Sequence, residues 1–364
     1  MRGLLVVPMP EMNAGDGVIE DGVRQLLDES FPGIDLDLYY IECVGVPANG
    51  ALAAHADRSL LASYSLLIVC GTPWLWDRCE ESRKYADLSY LVEAMPRATK
   101  IALGIGACLP LMSNPSLLIG APSTLCRLRE LWRLFALITV RDSFAGSILR
   151  AAGVETLALP CPSVVAGERM AARMQAEHAE RNPAIVVYLP QIGISRDALP
   201  RAFVDDYLAA QIDFAAASNV DVACILPAEA EWVAKALRRP LAQVSVLADR
   251  ESIYRYVAHR PLLVTGRIHV AIPAFMAGTR CCLLPVDSRY RTAEEVGVPI
   301  GWRWGGYLPV AHLPHESWRD LVRQIGWRNL LVPASLQWRL NRSRFDIQQY
   351  RRVVRERLAT LPID

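Results

Sequence analysis

Arg267 and His269 stand in the run Thr265-Gly266-Arg267-Ile268-His269, directly behind an apolar stretch and directly ahead of another. Arginine can grip a carboxylate or phosphate with two parallel N–H bonds, and histidine can move a proton near neutral pH. At the end of a strand, with Gly266 to turn the chain and free N–H groups opening the next helix, this pair suits an anion beside a proton transfer. An Arg ion-paired to a neighbouring Asp, with a His packed under a loop, would leave the same pattern. Asn13-Ala14-Gly15-Asp16-Gly17 combines glycines that let a backbone come close with a carboxylate, Asp16. Asp16 either caps a helix, the simpler reading, or touches a hydroxyl. Gly71-Thr72-Pro73-Trp74-Leu75-Trp76-Asp77 offers two indoles and a carboxylate, a set that suits stacking on a sugar-like ring or, equally, a tryptophan core beneath a loop. Val140-Arg141-Asp142-Ser143 places an arginine ahead of two helix-capping types, and Asp287-Ser288-Arg289-Tyr290-Arg291 adds two more arginines. Arg141, Arg267 and Arg289 converging on one ligand would serve a molecule with two anionic groups. Gly104-Ile105-Gly106 falls short of a dinucleotide fingerprint, because Leu109 stands where a further glycine is needed.

Each of these runs sits where a strand is expected to end. Short apolar, often branched stretches at 3–7, 35–41, 65–70, 100–104, 137–140 and 156–159 suit strands covered on both faces. Helical spacing fills 18–29, 51–63, 125–134 and 143–152, the last stopped by Gly153. A polar, charged stretch at 167–183 interrupts the alternation. It then restarts with strands at 184–189, 222–226, 244–247, 262–265 and 281–285 and helices at 202–217, 228–237, 252–258 and 269–277. A last helix at 346–358 carries an Arg-rich face, read as solvated. The pattern predicts an α/β protein of two Rossmann-like, doubly wound domains facing a cleft, with ligands at the carboxyl ends of the strands. The domains are placed at 1–166 and 184–335, joined by a linker at 167–183 and followed by a helical segment at 336–364.

With 364 residues, 52% hydrophobic and 21% charged, the chain is long enough for two cores. A net charge of +1 recruits neither nucleic acid nor an acidic membrane. Lysine occurs only at positions 84, 100 and 235, so nearly all the cations are the planar, bidentate kind. No stretch approaches the length of a membrane span, and the start lacks a signal-peptide pattern. Nine cysteines without a Cys-x-x-Cys, two of them adjacent at 281 and 282, read as reduced thiols in a cytoplasmic protein and not as a metal or disulfide framework.

Taken in order, the runs resemble the polysaccharide pyruvyl transferase family. Asn13-Ala14-Gly15-Asp16 is similar to that family's Asn-x-Gly-Asp loop, and Val140-Arg141-Asp142-Ser143, with Leu149 and Gly153-Val154 behind it, to its Arg-Asp-x-x-Ser block. Gly266-Arg267-Ile268-His269 is similar to its Gly-Arg-Leu-His block, and Asp287-Ser288-Arg289 to its Asp-x-Lys block ahead of a Gly-containing turn, here Val296-Gly297-Val298. The resemblance spans roughly positions 13–300. It implies a GT-B-like fold and phosphoenolpyruvate as donor and co-substrate, held mainly by the second domain, with no further cofactor and no metal. The implied reaction puts a pyruvyl group on a sugar or glycan-type acceptor, lipid-linked ones included, usually as a ketal bridging two hydroxyls. Carried over residue by residue, Gly266, Arg267, Ile268, His269 and Arg289 become donor contacts, with Arg141 as a further anion contact. His269 is the first candidate for general acid, with Arg267 and Asp16 beside it, and Asn13, Asp16, Trp74, Trp76 and Asp77 fall on the acceptor side. Three positions depart from the family pattern: Gly71-Thr72-Pro73-Trp74 replaces a glycine-rich run, Cys161 replaces an Asp in Pro160-Cys161-Pro162, and Arg289 stands for Lys. The alternative is a GT-B glycosyltransferase with a nucleotide-sugar donor, which wants an acidic ribose contact in the second domain, where only Glu294-Glu295 stands out. A non-catalytic anion- or glycan-binding protein is the third reading, and it predicts loss of the Arg267/His269 pair, which is present.

Overall fold

A computed structural model of the chain describes residues 1–8, 13–41, 57–76, 78–109, 122–174, 182–189, 201–216, 220–258, 260–284, 287–298, 300 and 346–363. The first half runs β1 (Arg2–Pro8), α1 (Ala14–Ser30), β2 (Asp35–Ile41), α2 (Arg58–Leu61), β3 (Leu66–Cys70), β4 (Pro73–Leu75) and α3 (Arg83–Ala94). It continues with β5 (Thr99–Ala107), α4 (Pro122–Trp132), β6 (Leu137–Val140), α5 (Ser143–Ala151), β7 (Leu157–Ala158) and α6 (Ser163–Met174). The second half runs β8 (Ala184–Val187), α7 (Arg201–Ala215), β9 (Asp221–Cys224), α8 (Pro227–Leu237), β10 (Val244–Val246) and α9 (Arg250–Val257). Then follow β11 (Leu263–Thr265), α10 (Ile268–Met276), β12 (Cys281–Leu283), α11 (Tyr290–Val296) and, last, α12 (Ile347–Ala359).

Two parallel sheets result, as the strand and helix alternation predicts. The first has the order β2-β1-β3-β5-β6-β7 with β4 beside β5, and the second β10-β9-β8-β11-β12. Alternate residues of a strand face opposite sides of its sheet, which explains the unbroken apolar runs. Leu4 and Val6 of β1 pack outward with α3 and α4, whereas Leu5 and Val7 face a core shared with α1, α10 and the second sheet. In β8, Ala184 and Val186 join that shared core, while Ile185 and Val187 turn to the far side of their own sheet.

The shared core is built on α1, α6, α9 and α10, with α6 packed on both α1 and α10. A side chain at Gly167 would lie 2.8 Å from the Pro273 Cα of α10, so the α6–α10 crossing requires glycine there. The stretch expected to be a linker from residue 167 therefore begins inside a helix. Its apolar side, Val164, Val165, Ala166 and Met170, is buried, and its charges face partners instead of marking a break: Glu168 with Arg351 and Arg169 with Asp21. The Arg-rich C-terminal helix is likewise not wholly solvated, since Arg351 bridges Glu29 and Glu168 while Arg352, Arg355 and Arg357 stay exposed. Of the helix expected at 51–63, residues 58–61 are helical behind the Asp57 cap, and 51–56 lie outside the described residues.

Candidate active site

The recess that could hold a ligand opens at the carboxyl ends of β1, β11 and β12, where the two sheets face each other. It is lined by Asn13, Gly15, Gly266, Arg267, Ile268, His269, Asp287 and Arg289, among others. The start of α10 faces it, so the partial positive charge of a helix N-terminus adds to the arginines.

The two second-domain arginines that line the recess are each held by a carboxylate. The Arg267 Nη2 donates to Glu229 Oε1 at 2.5 Å, and its guanidinium carbon lies 4.2 Å from the centre of the Tyr188 ring. Glu229 is fully buried at the start of α8 and also accepts from the backbone N–H groups of Leu189, Ile225 and Leu226. Arg289 spends its fork on Asp287, Nε to Oδ1 at 2.8 Å and Nη2 to Oδ2 at 2.5 Å, and Nη2 also donates to the Tyr188 hydroxyl at 3.3 Å. These are ion pairs of the bland kind, yet they also lock both guanidiniums against one tyrosine. Glu229 and Tyr188 carry no local sequence signal; they stand 38 and 79 positions before Arg267 and meet it only through the fold.

The first-domain side is different. Arg141, at the end of β6, is 1% exposed, and its Nη1 lies 3.1 Å from His269 Nε2. Among the described residues Arg141 Nε and Nη2 are buried with no hydrogen-bond partner, as is Arg267 Nε. The Arg141 guanidinium lies flat against Gly106, where a Cβ would fall 2.0 Å from Nε; Gly106 is thus a seat for Arg141 and no part of a dinucleotide loop. Asn13, not Asp16, is the cap of α1: its Oδ1 accepts from the Gly15 N–H at 3.3 Å, while its Nδ2 donates to Asp16 Oδ2 at 3.1 Å. Among the described residues this leaves Asp16 Oδ1 buried and without a hydrogen-bond partner, 4.0 Å from His269 Nδ1.

His269 therefore sits between the two domains. Arginine only donates, so His269 Nε2 accepts from Arg141, and in the neutral ring the proton sits on Nδ1, on the side of Asp16. Burial first, and then Arg141, Arg289 and Arg267, push the His269 pKa well below 6.5, so the ring is neutral at pH 7. Burial raises the Asp16 pKa, against the pull of Lys84, Arg141 and Arg289. Asp142, the cap of α5, is buried too, with its pKa raised chiefly by desolvation.

The geometry brings Asn13, Asp16, Arg141, Gly266, Arg267, Ile268, His269 and Arg289 to one place. It does not bring Trp74. That indole is 1% exposed, edge-on to Tyr85 and Trp132, with its N–H on the Cys70 carbonyl, so it offers no face to a sugar. Its other neighbour is the Lys84 ammonium, 4.1 Å from the ring centre and bonded to the Pro73 carbonyl. Trp76 is partly buried against the same cluster, edge-on to Tyr85, and Asp77 lies outside the described residues. Cys161 is fully buried in the shared core, a packing position. Every described cysteine is free. Among the described residues no helix is long and apolar enough to cross a membrane, and no group of three or more His, Cys, Asp or Glu could hold a metal ion.

Among solved structures the chain is similar to the UDP-GlcNAc 2-epimerase from Neisseria meningitidis bound to UDP-GlcNAc (TM-score 0.54, 9% identity, covering 99% of this chain and 100% of that one). It is also similar to the Methanocaldococcus jannaschii UDP-GlcNAc 2-epimerase in complex with UDP-GlcNAc and UDP (TM-score 0.51, 9% identity, 96% and 100%). At that identity the likeness shows the fold, a GT-B-type pair of α/β domains. Among curated proteins none matches the chain. The sequence matches the family described as polysaccharide pyruvyl transferase over residues 13–288, a span that contains Asn13, Asp16, Arg141, Arg267 and His269 and reaches Asp287. The chain belongs to the polysaccharide pyruvyl transferase family.

Proposed function

We propose that the protein moves a pyruvyl group from phosphoenolpyruvate to hydroxyls of a sugar-containing acceptor and releases phosphate. The observation that carries this reading is the contact of Arg141, from the first domain, with His269 of the second, which lines one recess together with Arg267 and Arg289. A donor with a carboxylate and a phosphate matches the buried N–H groups that still lack a partner, Nε and Nη2 of Arg141 and Nε of Arg267, together with the N-terminus of α10.

The chemistry needs a proton on the methylene carbon of the donor. Forming that C–H bond makes the adjacent carbon cationic; an acceptor hydroxyl adds there and gives up its proton, and a second hydroxyl displaces phosphate, which carries away that hydroxyl's proton, to close the ketal. We assign the first proton to His269 and the removal of the hydroxyl proton to Asp16, the unpartnered carboxylate on the acceptor side. His269 is neutral in the free protein first because it is buried and then because three arginines face it. The donor's negative charges offset that field, so binding itself favours the imidazolium. The donor thus charges its own acid. The acceptor approaches Asp16 from the side of Asn13, which bonds Asp16 and lines the recess. Free cysteines fit the cytoplasm as the working compartment.

Thermal unfolding with phosphoenolpyruvate, phosphate and UDP-GlcNAc tests the donor. A ligand at a hundred times its Kd stabilises by about 2.7 kcal/mol, a shift of a few degrees. Stabilisation by phosphoenolpyruvate that is lost in Arg267→Ala and His269→Ala is the expected result. A response to the nucleotide sugar alone would replace this reading with the glycosyltransferase one.

A further inference from the structure

Arg141 is buried but poorly anchored by polar contacts. Among the described residues its side chain lies flat against Gly106 and has one polar partner, His269, which belongs to the other domain. Its neighbours in sequence are held far more firmly, and they are held by the second domain. The Thr292 hydroxyl, fully buried on α11, donates to Asp142 Oδ2 at 2.8 Å, while the other oxygen of Asp142 caps α5 through the Ala145 N–H at 2.7 Å. At the rim, Glu295 of the same short helix accepts from the Ser143 N–H at 2.7 Å. On the neighbouring strand Leu109 and Ser288 exchange two bonds, Leu109 N–H to Ser288 Oγ at 2.9 Å and Ser288 N–H to the Leu109 carbonyl at 2.8 Å. All three contacts cross between the domains within three residues of Arg141 or six of Arg289.

We propose that α11 is a latch, and that Thr292 and Glu295 are positioning residues that hold Arg141 on His269 by clasping the start of α5. This rests on the reading of the recess as a phosphoenolpyruvate site. Arg141 is the first domain's contribution to that site, and misplacing a small ligand's contact by an ångström is enough to lose it. Thr292 matters more than Glu295, because its bond to a carboxylate is buried whereas the Glu295 bond is open to water.

The test is a double-mutant cycle read by calorimetric titration of the full chain with phosphoenolpyruvate. Thr292→Val should weaken binding roughly tenfold, the size of one lost bond to a charged group. Thr292→Ser, which keeps the hydroxyl, should restore it, and Glu295→Ala should cost about twofold. In an Arg141→Ala background Thr292→Val should change the remaining affinity little. Equal losses with and without Arg141, or no loss in Thr292→Val, would overturn the latch and leave the donor site standing. A native protein that does not bind phosphoenolpyruvate would overturn the donor assignment and the latch with it.

Discussion

The two walls around His269 solve the same problem in opposite ways. In the second domain Arg267 and Arg289 are each bound to a carboxylate, Glu229 and Asp287, and both lean on Tyr188. In the first domain Arg141 is almost fully buried with two of its nitrogens unpartnered. Unpaired buried charge is costly, and such cost persists where a ligand will later meet it. On the proposed reading the second-domain wall is built in advance and the first-domain wall is completed by the ligand. This division also explains how a neutral histidine can lie between three arginines without an ion pair of its own.

Breaking the prebuilt wall should have the largest effect. Glu229→Ala removes a buried carboxylate that satisfies Arg267 and three backbone N–H groups. A loss of about 3–5 kcal/mol in denaturant unfolding is expected, since one partner of a buried pair is removed. Glu229→Gln, which keeps acceptor oxygen, should lose less.

Disturbing the open wall should show in binding more than in folding. Gly106→Ala puts a methyl 2.0 Å from Arg141 Nε and must push the guanidinium aside. Overpacking of this kind costs about 1–3 kcal/mol of stability. Calorimetry should show phosphoenolpyruvate affinity falling at least about tenfold, the size of a lost bond to a charged group. Unchanged affinity would mean that Arg141 takes no part in holding the donor.

The smallest effect is a pH dependence. The His269 pKa in the folded chain lies below its unfolded value of 6.5, so the unfolded chain takes up the proton first as pH falls. The contribution is present above pH 6.5 and is lost below it, by up to about 1.4 kcal/mol per pH unit. Asp16 acts in the opposite direction, because its raised pKa relieves a cost as pH falls toward 3.8. Comparing the chain with His269→Gln between pH 7 and 5.5 isolates the histidine; parallel stability curves would show that the ring is not held neutral.

Legibility from sequence followed the range of the forces involved. β2 and β6 match their expected bounds because a short apolar run bounded by polar residues has one favourable period. The loop holding Arg267 and His269 was readable for the same reason, being strand, glycine and helix in sequence. β4 and α3 were not separated from the Trp74 loop, because three residues of strand leave no periodic signal and the indole's neighbours, Tyr85 and Trp132, lie far along the chain. α6 was hidden by its charges, whose partners come from α1 and α12. Glu229 and Tyr188 look like ordinary surface and strand-end residues until the fold closes around Arg267.

The central claim is that one anionic donor completes the open wall and charges His269. Titrating phosphoenolpyruvate at pH 8 in two buffers of different ionisation enthalpy counts the protons taken up on binding. The account predicts binding with uptake approaching one proton by the unmodified protein and none by His269→Gln. Binding without uptake, or with the same uptake in both proteins, would contradict it.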